Sequence, residues 1–479
     1  MNIRLVINLM GKALVLLGLA MILPLLWAVY DQSPDRMAFI YSIVITLISG
    51  LVITTAVPQK GEIRYREGFV IVTVGWLLAS LYGCLPYLLS EVCSSFPDAF
   101  FETVSGFTTT GASIFSNVEG LPRGILFWRS LTHWLGGMGI IVFLVALLSQ
   151  LGVGANRIFR AEVPGPVTFK IMPRISETAK VLWFTYLVMT IVETVLLWFF
   201  GMPLFDSLCH AFGTVATGGF SIKNTSIGFY EQASIQWVIT VFTFLSGANF
   251  ALYYQALRGR SLKAFWRNEE FRFYAGIVLV AIALLAFNTN SLFSSMEDLI
   301  RTSAFQVVSI ITTTGYSTAD FNLWPYMSQA LLVMLMFVGG CSGSTSGSIK
   351  VGRILILLRQ GILEIRKLIH PRAVFSLKIG GKNISNELVS NVMQFFFLYV
   401  AIFAVSGIAM TAMGLDLKTS FTSVAATFGN VGPGLGLVGP AGNYSLVPGQ
   451  GKLLLSFLML LGRLEIYTVF VMFSPSLWE

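Results

Sequence analysis

The chain has 479 residues, of which 55% are hydrophobic and only 11% charged, against roughly 25% charged in ordinary soluble domains. A soluble fold this apolar lacks the polar groups to cover its surface, so the composition excludes one and points to an all-α polytopic membrane protein. The net charge of +8 does not imply nucleic acid, because 21 of the 31 Lys and Arg fall in four windows, Lys60–Arg66, Arg157–Lys180, Arg258–Arg272 and Lys350–Lys382, the pattern of cytoplasmic loops.

Apolar runs at Ala13–Tyr30 and Ala38–Val57 are each near the ~20 residues a helix needs to cross ~30 Å of hydrocarbon. No small-x-small cleavage site follows the first, which reads as a retained helix rather than a signal peptide. Arg4 and Lys12 precede it, so the N-terminus is expected in the cytoplasm. Two leading transmembrane helices therefore occupy residues 1–66. Later apolar runs lie at Phe69–Ser90, Val181–Phe200, Ile277–Phe287, Val392–Met413 and Leu453–Met472.

The segments between basic windows are too long for one helical hairpin, and each holds a semi-polar middle. In order these read FPDAFFETVSGFTTTGAS, PLFDSLCHAFGTVATGGFS, MEDLIRTSAFQVVSIITTTGYS and LDLKTSFTSVAATFGNVGPG. Each begins acidic, continues as a short helix and ends in a Thr/Gly-rich loop. Alignment places Gly111, Gly219, Gly315 and Gly432 in register, an internal repeat of roughly 100 residues. The repeats are expected at 67–157, 158–267, 268–372 and 373–479. A short helix of about 12 residues cannot span the bilayer, so it dips in from one face and its loop returns there. With the basic windows inside, the loops open outside. Asp98, Asp206, Asp298 and Asp416 are expected to cap the short helices.

Irregular backbone at membrane depth is tolerated only where it lines a protein-enclosed or watery path. Backbone carbonyls in such a path replace the hydration shell of a cation, and glycine permits the turn that aims them. Each short helix brings its negative C-terminal end to the same place. The candidate cation-binding residues are Thr109, Thr110 and Gly111; Thr217, Gly218 and Gly219; Thr313, Thr314 and Gly315; and Asn430, Val431 and Gly432. The double glycine of the second loop leaves its register open between Gly218 and Gly219. One such loop alone is matched as well by small-residue helix packing, but four in register are not.

Gly339, Gly340, Cys341, Ser342, Gly343, Ser344, Thr345, Ser346, Gly347 and Ser348 are ten small residues in a row, which hold a helix poorly. They interrupt a run that looks helical on both sides. They are expected to form a flexible intramembrane gate under the loops, the alternative being a close helix–helix contact through small residues. Arg463 and Glu465 fall inside the last apolar run, where charge is costly and usually functional. Arg463 is expected to face the pathway, the alternative being a structural pair with Glu465 or a neighbouring helix. His133 and His210 read as packed, hydrogen-bonded residues, and Glu193 as a helix-contact residue. Cys84, Cys93, Cys209 and Cys341 fit no zinc or disulfide framework. They read as free buried thiols, with a Cys93–Cys209 bridge as the alternative. No nucleophile motif, P-loop or metal-ligand spacing points to an enzyme.

Four units of membrane helix, pore helix and membrane helix, with one glycine each, resemble the Trk/Ktr/HKT superfamily of potassium transporters over almost the whole chain. The two leading helices, WLGGMGIIV at Trp134–Val142, RAEVPGP at Arg160–Pro166 and GGCSGSTSGS at Gly339–Ser348 are similar to its bacterial TrkH/TrkG branch. The resemblance implies a pseudo-fourfold pore in one chain, a homodimer, filter glycines at Gly111, Gly219, Gly315 and Gly432, a gating loop at Gly339–Ser348 and a pore arginine at Arg463. It also implies a cytosolic TrkA-type ring, which would carry the nucleotide, so no cofactor is expected on this chain. The resemblance further implies that glycine at all four filter positions favours potassium over sodium. The reading is potassium uptake across a bacterial inner membrane by a channel-like path, with a proton- or sodium-coupled symporter as the alternative.

Overall fold

The computed structural model describes residues 1–57, 65–139, 175–373 and 375–478. Helices α1 (Ile3–Ala20) and α2 (Ile22–Tyr30) continue as one 28-residue apolar span, and α3 (Arg36–Ala56) returns beside it. The span starts earlier than Ala13 because polar residues serve it. Asn2 caps α1 by accepting the Leu5 N–H at 3.2 Å, and the buried Asn8 amide donates to Thr54 O and Val57 O. Gly11 and Gly50 face each other so closely that a Cβ on either would lie within 3.0 Å of the other's carbonyl oxygen, the approach small residues permit between helices in lipid.

One order of elements then recurs. In its first occurrence α4 (Tyr65–Gly83) and α5 (Leu85–Leu89) lead to the short α6 (Phe96–Phe107) and then α7 (Arg123–Gly137). In the second, α8 (Ile175–Phe199) leads to α9 (Leu204–Val215), then α10 (Ala233–Ser246) and α11 (Phe250–Gly259), with α12 (Lys263–Arg267) following. The third has α13 (Glu269–Thr289), α14 (Met296–Ile311), α15 (Tyr326–Met336) and α16 (Val351–Ile369). The fourth has α17 (Asn386–Ala412), α18 (Leu417–Phe428), α19 (Gly449–Leu464) and α20 (Ile466–Phe470), before α21 (Pro475–Trp478) closes the chain.

Burial sorts these helices into two shells. The long ones leave Trp198, Phe199, Leu279, Phe287 and Val405 exposed, as lipid-facing surfaces require. Past its first turn, each short helix is almost wholly buried. Six helices among the described residues are long and apolar enough to cross a membrane, so the protein is multi-pass. Two further pairs qualify in composition but bend, α10 against α11 by 93° and α19 against Ile466–Phe473 by 114°. Neither bend was expected. The first falls at Gly247–Asn249, where Asn249 caps α11. The second turns at Glu465, whose φ is +61°.

The expected caps need correction. Only Asp416 is an N-cap, accepting the Thr419 N–H at 3.0 Å. Asp98, Asp206 and Asp298 lie within the first turn, behind Ser95, Pro203 and Ser295. They bond instead to side chains: Asp98 to Lys452 and Ser95, Asp206 to Tyr230, and Asp298 to Arg301. The four cysteines are buried and free. The only named sheet among the described residues is a hairpin of β1 (Lys378–Ile379) and β2 (Lys382–Asn383), turned by Gly380 and Gly381 at positive φ. Arg160–Pro166, Ile140–Val142 and most of the first two basic windows lie outside the described residues.

Candidate cation pathway

The four short helices end in one repeated backbone geometry. Thr109, Thr217, Thr313 and Asn430 have φ of 53°, 53°, 58° and 53°, and two residues on, Gly111, Gly219, Gly315 and Gly432 have φ of 79°, 80°, 80° and 101°. The residue between them turns its N–H back onto the helix: Thr110 to Ser105 O at 2.9 Å, Gly218 to Gly213 O at 2.7 Å, Thr314 to Ser309 O at 2.8 Å and Val431 to Ala426 O at 2.7 Å. These bonds occupy carbonyls that a helix end leaves unpaired. The common geometry places Gly219, not Gly218, in register with the other three glycines. It also accounts for asparagine where the other loops have threonine, since Asn tolerates the left-handed conformation that the position demands.

The loops meet in a closed order. A Cβ added to Gly111 would strike Gly218 O, one on Gly219 would strike Thr314 O, one on Gly315 Val431 O, and one on Gly432 Thr110 O, each closer than 3.0 Å. Each glycine thus abuts the carbonyl just before the next glycine, and the fourth returns to the first. All twelve candidate cation-binding residues lie in this ring. Asn430 adds a cross-link, donating to Thr110 Oγ1 at 3.0 Å and Met459 O at 2.9 Å. A recess lined by all four glycines, with Ser113, Ser221, Ser317 and Tyr444, lies on one side of the ring. On the other side, a cavity is lined by Gly343, Ser346, Gly347, Lys350, Arg463 and Glu465.

Between α15 and α16 the small-residue segment is not helical and none of its residues is exposed. Far from hanging free, it is bonded directly to the second, third and fourth units, and Arg463 carries the tie on to the first. Cys341 N–H donates to Gly247 O at 2.8 Å, and Gly343 O accepts from Phe250 N–H at 3.1 Å. Thr345 Oγ1 donates to Val215 O at 3.1 Å, and Gly347 N–H donates to Thr313 Oγ1 at 2.6 Å. Arg463 reaches it from α19, donating to Thr345 O at 2.6 Å and to Gly136 O and Gly137 O at 2.7 and 2.8 Å. Glu465 forms its ion pair with Arg353 at 2.6 Å. Lys350 donates to Ser346 O.

Sequence reasoning missed several of these groups. Glu102 and Arg129 form a buried ion pair behind the first two loops. His133 joins Gly106 O to the Phe220 N–H at 2.8 and 3.0 Å, so it is packed but also spans two units. Tyr444 donates to Gly432 O at 2.8 Å, and its N–H to Ser113 O at 2.8 Å. Glu270 accepts one N–H bond from the small-residue segment, that of Ser342. The available signal was an ionisable residue in an apolar run, as in FFETV and FWRSL. Glu193 is fully buried.

The TrkH family model, described as a cation transport protein, matches residues 35–479. The chain belongs to the TrkH cation transport family. Among curated TrkH-family relatives, the Trk system potassium uptake protein TrkH of Salmonella typhimurium is 41% identical over 484 residues, covering 100% of both chains. The TrkG protein of Escherichia coli is 36% identical over 484 residues, covering 100% of this chain and 99% of its own. The crystal structure of the potassium transporter TrkH from Vibrio parahaemolyticus superimposes with a TM-score of 0.90 at 37% identity, covering 100% of each chain. The TrkH family is one of transporters, so the chain is not an enzyme.

Proposed function

We propose that this chain takes up potassium into a bacterial cell, through the ring of four loops acting as a selectivity filter. The closed order of glycines and carbonyls carries the reading. Four loops on one axis, each at the negative end of a buried short helix, supply a concentrated field for a dehydrated cation. No side-chain carboxylate belongs to the ring, so the carbonyls and threonine hydroxyls of Thr109–Gly111, Thr217–Gly219, Thr313–Gly315 and Asn430–Gly432 do the coordinating. The names of the relatives, all Trk system potassium uptake proteins, support potassium as the cargo.

Ions enter from the recess, cross the ring and reach the cavity. There the segment Gly339–Ser348 and Arg463 form the gate, held shut by the bonds that tie them to all four units. The membrane potential drives entry, at ~2.3 kcal/mol per charge per 100 mV. The membrane is the inner membrane with the N-terminus inside. The working form is a homodimer with a cytosolic nucleotide-binding ring of TrkA type on its basic face.

A coupled symporter is the second reading, favoured by the two sharply bent helices beside the cavity, a feature of alternating-access transporters. Flux into liposomes holding the purified chain, with and without the ring protein, separates the two. Passive flux that prefers potassium and needs no proton or sodium gradient supports the channel. Flux that requires either gradient supports the symporter.

A further inference from the structure

Glu102 and Arg129 form an ion pair, Oε1 to Nε at 2.8 Å, with side-chain exposures of 0% and 2%. Neither lies in the ring of loops. Among the described residues, every other side-chain hydrogen bond of the pair goes to the stretch of chain leaving a ring glycine. Glu102 accepts Ser113 Oγ–H at 3.0 Å and Ile114 N–H at 2.9 Å. Arg129 donates to Ser113 Oγ at 3.1 Å and to Ser221 O at 3.1 Å. Its guanidinium also sits 4.2 Å from the centre of the Phe220 ring. Ser113 and Ser221 stand at matching places, each two residues past its glycine. One rigid cation therefore fixes the exits of the first and second loops to each other.

The register repeats in part. The residue nine places before the glycine is Glu102 in the first unit, His210 in the second, Gln306 in the third and Ser423 in the fourth. His210 Nε2 bonds Ser221 Oγ at 3.1 Å, and Gln306 donates to Ala319 O at 3.4 Å. Ser423 instead bonds Ser420 O on its own helix. Three units thus hold their own exit from this position, and the first adds a charge and a bridging arginine.

Stability does not explain the pair. Removing two charges from water costs about as much as their attraction returns, and apolar pairs of similar volume are often as stable or more so. What an apolar pair lacks is the fixed fork of a guanidinium, which sets the distance between the groups it bonds.

We propose that Glu102 and Arg129 are positioning residues that set the spacing of the first and second loops, and through it the preference for potassium over sodium. The proposal rests on the reading of the ring as a cation filter. The test compares Glu102→Leu/Arg129→Met, Arg129→Lys and Glu102→Gln with the parent chain. Each is assayed by thermal unfolding, by potassium-to-sodium flux ratio in liposomes, and by calorimetric titration with KCl and NaCl. The double variant is expected to keep its unfolding midpoint and lose about tenfold in selectivity, equal to about 1.4 kcal/mol of discrimination. Arg129→Lys is expected to fall between, since it keeps the charge and loses the fork. A folded double variant with the parent's selectivity overturns the proposal. If the double variant does not fold, the single variants decide it: lowered selectivity in both supports the pair, and parental selectivity in both overturns it. Gly315→Ser separates the two readings. If it loses selectivity while the pair variants do not, only this proposal falls. If none of the variants alters selectivity, the filter reading falls with it.

Discussion

Thr313 Oγ1 accepts the Gly347 N–H at 2.6 Å, so the third loop of the ring and the segment beneath it share a hydrogen bond. Thr313 also holds the left-handed turn that its loop requires, at φ +58°. One residue thus serves both the ring and the small-residue segment. Thr313→Ala deprives a buried N–H of its acceptor, at a cost of about 1–3 kcal/mol, and the cost falls on the closed arrangement. Basal potassium flux in liposomes is expected to rise about tenfold, while Thr313→Ser, which keeps the acceptor, stays near the parent. Equal flux in Thr313→Ala and parent would remove this bond from the gating account.

The ring glycines admit no side chain without moving a neighbouring loop. A Cβ on Gly315 would strike Val431 O and lie 2.8 Å from Pro433 Cδ, at a φ of +80°. Gly315→Ser is therefore expected to separate the third and fourth loops and lower the potassium-to-sodium flux ratio by about tenfold. Unchanged relative permeation would remove Gly315 from the filter.

Arg463 donates to three carbonyls in two units, and bonds from a charged donor are worth about 1.5–3 kcal/mol each. Arg463→Gln, or deletion of three residues within Gly343–Gly347, is expected to raise basal flux well above the parent. Normal or lower flux from intact protein in either case would show that this segment is not the barrier.

The ring was legible in the sequence because its chemistry is local: a left-handed residue, then a glycine, after a short helix. The interruption at Gly339–Ser348 was legible because ten small residues contradict a helix. What escaped depends on neighbours distant in the chain. The bend at Glu465 carries no glycine or proline, and it comes where Arg353 from α16 pairs with that glutamate. Asp98 looked like a cap, but Ser95 takes that place, and Lys452 from the far end of the chain pairs with the aspartate at 2.5 Å. The bonds that hold this segment were not legible either, because they come from residues distant in the chain. Glycine and serine leave backbone groups uncovered, and Gly247 O, the Phe250 N–H, Thr313 Oγ1 and Arg463 satisfy some of them.

Asp416 offers a pH test outside the membrane. The Thr419 hydroxyl and N–H both donate to its carboxylate and hold its pKa below the ordinary value. A lowered carboxylate pKa adds stability above the unfolded value, about 3.9, and loses it as pH falls through the folded one. Asp416→Ala is expected to cost about 1 kcal/mol at neutral pH, as a lost N-cap does. The difference from the parent should shrink as pH falls below about 3.9. A gap in unfolding midpoint that stays constant down to such pH would mean the carboxylate charge plays no part.

Glu270 ties the small-residue segment to the start of α16. Its Oε1 accepts the Ser342 N–H at 2.6 Å and the Gly352 N–H at 3.0 Å, one inside the small-residue segment and one at the start of α16. The preceding residue faces another partner: Glu269 accepts the Gly380 N–H at 2.7 Å and pairs with Arg359, holding the β1–β2 hairpin. The first turn of α13 therefore connects that hairpin to the small-residue segment. Glu270→Ala leaves two buried N–H groups unpaired and is expected to raise basal flux by about tenfold or more, since bonds to a charged acceptor are worth about 1.5–3 kcal/mol each. Glu270→Gln keeps an acceptor oxygen and should fall between. Glu269→Ala is expected to spare the bonds to Ser342 and Gly352 and to weaken the response to the added ring protein. If Glu269→Ala responds like the parent while Glu270→Ala leaks, the gate anchor stands and the connection to the hairpin does not.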